Sequence, residues 1–160
     1  MEKRVHLRAV PNPRSKPDDG DALATLLPPK AQVHVCFVHE ELAWMFHRDV
    51  WRLRFRILDD GEHQGAPILW HLNRPVLGGR LSLGSHIVAA FVACTGRRPP
   101  AHLAKMRPSS WLSQCELLVQ TRVVGRDIHG VARPNELNYS VISHVIRRTA
   151  GAPPMFQALQ

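Results

Sequence analysis

The sequence predicts a small, mainly β domain: five strands, with one helix between the third and the fourth. Three observations carry this. Residues 50–58 alternate strictly, with Trp51, Leu53, Phe55 and Ile57 on one side and Arg52, Arg54 and Arg56 on the other. The apolar runs are short and are separated by turn chemistry such as Asp59-Asp60-Gly61 and Leu77-Gly78-Gly79. Only residues 85–94 place apolar side chains at helical spacing. A chain of 160 residues that is 44% hydrophobic is one domain's worth and can bury a core.

In chain order, residues 1–30 read as a Pro-rich tail, because Pro11, Pro13, Pro17, Pro28 and Pro29 interrupt regular structure and Asp18-Asp19-Gly20-Asp21 is turn-like. The folded body is expected over residues 31–149, with a second tail at 150–160. The first strand is expected at 32–39, where Val33, Val35 and Phe37 alternate with His34, Cys36 and Val38. Residues 40–48 read either as a short helical turn or as a bulged continuation into the next strand. Trp44 and Trp51 read as core. Residues 50–58 are the second strand, half-buried with one apolar and one cationic face. The third, 68–73, contains Trp70. The helix at 85–94 has Ser85 as its N-cap, Ile87, Val88, Phe91 and Val92 as its stripe, and Gly96 as its stop. Residues 97–110 read as proline-punctuated loop. Residues 115–126 are the fourth strand, with Leu117, Val119, Thr121 and Val123 on one face and Gln120, Arg122 and Arg126 toward the other. Residues 137–146 are the last strand, with room for a helical end.

Strand, strand, strand, helix, strand, strand is the element order of the five-stranded Greek-key β-barrel called the OB-fold. An antiparallel sheet with a packed helix (α+β) fits the same order.

The charge pattern narrows the function classes. The net charge is +8, with a sequence pI near 10.4. Of the 21 basic residues only Lys3, Lys16, Lys30 and Lys105 are lysine, and the rest are arginine, whose planar fork grips phosphate bidentately. Between Glu62 and Glu116 there is no acidic residue, while Arg74, Arg80, Arg97, Arg98, Lys105 and Arg107 fall there. Such a one-signed stretch favours a polyanionic partner, although a merely solvated basic surface has the same composition.

Chemistry is poorly supplied. His39-Glu40-Glu41 fails the zincin pattern because Ala43 stands where the second His is required. The histidines, among them His34, His47, His63, His71 and His144, show no ligand spacing. Cys36, Cys94 and Cys115 are odd in number and far apart, so they read as small hydrophobes in a reducing compartment, without disulfide or zinc. Gly78-Gly79-Arg80 is too short for a phosphate loop, and Asp59, Asp60 and Glu62 read as a solvated turn. The charged N-terminal residues and the absence of a long apolar run lead to the expectation of a cytoplasmic protein without signal or membrane span. No enzyme activity, cofactor or metal is expected.

The segments WRLRFRILDDGEHQGAPILWHLN (51–73), ACTGRRPP (93–100), RPSSWLSQCELLVQTRVVGRD (107–127) and NYSVISHVI (138–146) resemble small proteins of bacterial mobile elements and prophages. They are also loosely similar to a phage family with a single-stranded-DNA-binding-like domain. The shared features are a strand, a G-E-x-x-G turn (Gly61 to Gly65), a further strand and a short helix, over roughly residues 50–146. Where that family carries Gly-Lys before its fourth strand, Ser113-Gln114 stand here. The resemblance implies an OB-like fold and a nucleic-acid setting, and supplies no catalytic residues. The expected function is single-stranded nucleic-acid binding, DNA before RNA, as an accessory factor of a mobile element or phage. The expected site is Arg52, Arg54, Arg56, Trp70, Arg74, Arg80, Arg122 and Arg126. A protein–protein interaction module, such as a subunit of a nucleoprotein assembly or an inhibitor of a host defence complex, is the contrasting expectation. The low aromatic content of 6% favours it.

Overall fold

The computed structural model describes residues 25–45, 47–75, 81, 84–113, 115–125, 130–132 and 138–151. The protein is mainly β. Its five strands are β1 (Gln32–Met45), β2 (Arg48–Ile57), β3 (Pro67–Asn73), β4 (Glu116–Val124) and β5 (Tyr139–Ala150). Helix α1 (His86–Thr95) lies between β3 and β4, and is followed by a 3-10 turn at Leu103–Lys105 and the one-turn helix α2 (Ser109–Leu112).

The strands close into a ring in the order β1-β2-β3-β5-β4. Every neighbouring pair is antiparallel except β3 with β5, which meet in parallel at Leu69 and Val141. The alternation of β2 is realised as expected: Leu53, Phe55 and Ile57 point inward and are buried, while Arg52, Arg54 and Arg56 point outward. Val35, Phe55, Ile68, Trp70, Leu72, Leu117 and Val119 fill the interior, and Phe91 of α1 and Trp111 of α2 close one end, ring against ring at 5.5 Å. Each such side chain stabilises the fold by about 1.5–3 kcal/mol through removal from water.

The helix is bounded as its sequence dictates. The Ser85 side chain accepts from Val88 N, and Gly96 takes the left-handed conformation (φ 66°) while its N–H bonds to Val92 O. The turn after β2 is held by Asp59, which accepts from His34 N at 2.8 Å and meets His34 Nδ1 at 2.8 Å.

One open reading is settled and three expectations are corrected. Of the two readings open for residues 40–48 the bulged strand is the one found: β1 runs on to Met45 and forms a long hairpin with β2, with a bulge between Phe37 and His39 and His47 at φ 61° in the connection. Trp44 lies on this hairpin and is 70% exposed instead of core, whereas Trp51 is buried. β5 stays a strand to Ala150, with no helical end. The folded body begins before residue 31: Leu27 is buried, Ser140 N donates to Thr25 O, and Thr25 Oγ1 donates to Pro67 O. That segment bonds to both β3 and β5 where their own parallel pairing is short.

Buried Glu40 fixes the loop after α1. Its carboxylate accepts from Ser109 N (2.6 Å) and Ser109 Oγ (2.9 Å) and pairs with Arg107 Nε (2.8 Å). A carboxylate from β1 thus satisfies donors at the start of α2.

Candidate nucleic-acid interface

The outer face of the ring is built by strand pairing. Cross-strand partners point to the same side of a sheet. Arg54 of β2 stands opposite Leu69 of β3, Leu69 stands opposite Val141 of β5, and Val141 stands opposite Arg122 of β4. The result is one row across four strands with an arginine at each end and an aliphatic floor between them. At about 4.8 Å per strand, the two arginine backbones are about 14 Å apart along the curved sheet. Leu69 and Val141 are only 4% and 2% exposed although they lie on the outside and do not belong to the interior cluster. Long side chains such as those of the flanking arginines cover apolar surface of this kind with their methylene stems.

Beside this row, Arg52 is opposite His71. His71 titrates near 4 instead of its ordinary 6.5, first because burial disfavours the imidazolium, then because Arg52 and Arg122 both act on it. Arg52 and Arg122, seventy positions apart in sequence, therefore converge on one imidazole, which stays neutral and offers one donor and one acceptor. Arg56 continues the β2 ladder, exposed. Arg52 Nη1 also donates to Glu41 Oε1 at 3.0 Å, and Glu116 of β4 stands in the row Arg56–Cys36–Glu116, so two carboxylates sit on the face among the described residues. Past Arg122 the surface sinks into an open hollow of about 420 Å³ lined by Arg122, Val123, Val124, Gly125 and Ala132.

The structure sorts the expected residues. Arg52, Arg54, Arg56 and Arg122 share the outer face. Trp70 does not: it points inward, 2% exposed, against Phe55 at 6.3 Å, and cannot stack on a ligand. Its own strand is buried on both sides over Ile68, Leu69 and Trp70, so the indole has no route out. Arg74 also leaves the set. It lies on the inner side at the end of β3, with its guanidinium 5.9 Å from the Trp51 ring centroid and 3.8 Å from Asp49. Arg80 and Arg126 lie outside the described residues. Leu69, His71 and Val141 were missed. The run of apolar residues around Leu69 hides which of them face outward, and only pairing with Arg54 and Arg52 reveals it.

Among the described residues no group of three or more His, Cys, Asp or Glu is placed to hold a metal, and no helix is long and apolar enough to cross a membrane. Cys94 and Cys115 are buried free thiols whose burial raises their pKa, which disfavours the nucleophilic thiolate. Comparison with protein-family models, curated proteins and solved structures finds no match.

Proposed function

We propose that this chain binds single-stranded nucleic acid on the outer face of an OB-type ring and carries out no chemical step. The strand order, the parallel closure of β3 on β5 and the helix between β3 and β4 support the OB reading. The observation that carries the binding reading is the strand register that puts Arg52, Arg54, Arg56 and Arg122 on one outer face, with the row Arg54–Leu69–Val141–Arg122 crossing four strands and Arg52 opposite His71. Arginines at positions i, i+2 and i+4 of β2 are spaced about 6.5–7 Å apart, close to the phosphate repeat of an extended strand. The neutral, half-buried His71 gives bases a hydrogen-bonding group between the phosphate contacts. DNA is the preferred strand and a mobile-element or phage accessory role the preferred setting, both on the resemblance of residues 50–146.

The experiment is a titration against single-stranded DNA, double-stranded DNA and RNA across salt concentrations. Tighter binding to single strands, falling with salt, supports the reading. No binding to any of them at low salt refutes it. In that case the protein-interaction reading takes over, which the buried Trp70, the exposed Trp44 and the Glu41–Arg52 pair favour.

A further inference from the structure

Building on the nucleic-acid reading, we propose that the arginine face takes up a proton at His71 when it binds a single strand, so that mild acid tightens its hold on the ligand. The placement of His71 in the sheet is the starting point. It stands opposite Arg52 in the register of β2 and β3, and cross-strand partners carry their Cβ atoms about 4.5–5.5 Å apart. Arg54 is its diagonal neighbour on β2. Arg122 comes from the other side. It ends the row that crosses β5 at Val141 and β3 at Leu69, two residues from His71 on the same face. From β3 to β4 is two strand spacings, about 10 Å, which an arginine side chain largely spans. Glu41 of β1 meets the group only through Arg52, whose Nη1 it accepts from at 3.0 Å. On this side β5 presents Tyr139 and His144, opposite Val124 and Gln120. His34 has Asp59 on its Nδ1 at 2.8 Å. His71 instead has arginines for neighbours.

This placement sets the sign of the coupling. In the free protein an imidazolium at position 71 is opposed by burial first, then by Arg52 and Arg122, and His71 titrates near 4. Those arginines are the ones assigned to the phosphates. A phosphate seated on them offsets their field at the ring and brings an anion to within about 6 Å. At an effective dielectric of about 40, one unit charge at about 6 Å changes a protonation equilibrium by roughly tenfold. One or two phosphates therefore bring the His71 titration to about 5–6. The strand also strips water from the ring, which acts the other way. Much of that water is already gone, because His71 is half-buried before any ligand arrives. The proton comes from solvent onto the free ring nitrogen, and no covalent bond to the ligand forms. The imidazolium then offers the strand two N–H donors where the neutral ring offers one.

The test titrates oligo(dT), whose bases stay uncharged in this range, into the full chain at fixed ionic strength from pH 7 to pH 5. Circular dichroism confirms the fold at each pH. Calorimetry in buffers of different ionisation enthalpy counts the protons. Affinity should rise about fourfold over this range, with about half a proton entering per complex at pH 5. H71Q should lose the dependence, and E41Q, which removes the carboxylate on Arg52, should keep it. Two-dimensional NMR of the parent, which needs no substitution, should show the His71 titration moving upward when oligo(dT) is added. The proposal is overturned by equal affinity at pH 7 and pH 5, by an H71Q variant that keeps the full dependence, or by a His71 titration that moves downward on binding. A parent that binds no oligo(dT) at low salt overturns the nucleic-acid reading and the proton coupling together. Salt-dependent binding without proton uptake overturns the coupling alone.

Discussion

The neutral His71 makes the assembly of the arginine face measurable without any ligand. Its imidazole titrates near 4, with burial the largest cause and Arg52 and Arg122 adding to it. In the unfolded chain the same group titrates near 6.5. Between those values the unfolded state holds a proton that the folded state lacks. Stability is therefore full above pH 6.5 and is lost as pH falls toward 4, with a ceiling of about 3 kcal/mol for this one group, set by the gap between about 4 and 6.5. Partial exposure of His71 to solvent keeps the effect below that ceiling. The perturbation is the double variant R52A/R122A. It should raise the His71 pKa from about 4 part of the way toward 6.5, with burial holding the remainder. Two-dimensional NMR of the imidazole carbons gives the pKa directly, and urea unfolding between pH 4 and 7 gives the stability, with H71N as the variant that loses the dependence. A His71 that titrates near 6.5 in the parent, or one that ignores removal of both arginines, would refute the convergence of β2, β3 and β4 side chains on this face.

Further outcomes follow from local geometry. E40A removes the acceptor for Ser109 N, Ser109 Oγ and Arg107 Nε, and should cost about 2 kcal/mol in denaturant unfolding; Gln at the same position should recover part of it. G96A should cost about 1 kcal/mol by the same measurement, because Gly96 sits at φ 66° and a Cβ there meets no atom within 4 Å, so the penalty is purely that of the backbone.

Much of the fold was legible because it rests on local patterns. The alternation of Trp51 to Ile57 against Arg52 to Arg56 needed no tertiary information, and neither did the Ser85 cap or the Gly96 stop. What escaped reading depends on residues far apart. Helix α2 lies in a segment punctuated by Pro99, Pro100 and Pro108, and its Ser109 donors are satisfied by Glu40, sixty-nine positions away. Leu27 looks like tail because only Ser140 and Pro67, distant in sequence, show what that segment covers. The two tryptophans were exchanged for one reason. Trp70 and Trp44 each sit in an apolar-rich stretch, and whether an indole points into the ring or into solvent is decided by strand length. For the site, the ladder Arg52, Arg54 and Arg56 was visible from its period of two. The Leu69–Val141 floor and the place of His71 between Arg52 and Arg122 required the parallel contact of β3 with β5, which no local pattern encodes.

The central claim is that Arg52, Arg54, Arg56 and Arg122 hold a single-stranded phosphate backbone, and the salt dependence of oligo(dT) binding tests it most directly. Each phosphate contact with a single strand contributes about −0.7 to the slope of log affinity against log salt, so four contacts predict a slope of about −2.8. The variant R52A/R54A/R56A leaves Trp51, Leu53, Phe55 and Ile57 untouched inside the ring and should fold as the parent does. Its slope should shrink by about two, with affinity weakened across all sequences alike. A normally folded triple variant that binds oligo(dT) with the parent's affinity and the parent's slope would show that the arginine ladder is a solvated surface and that the claim is wrong.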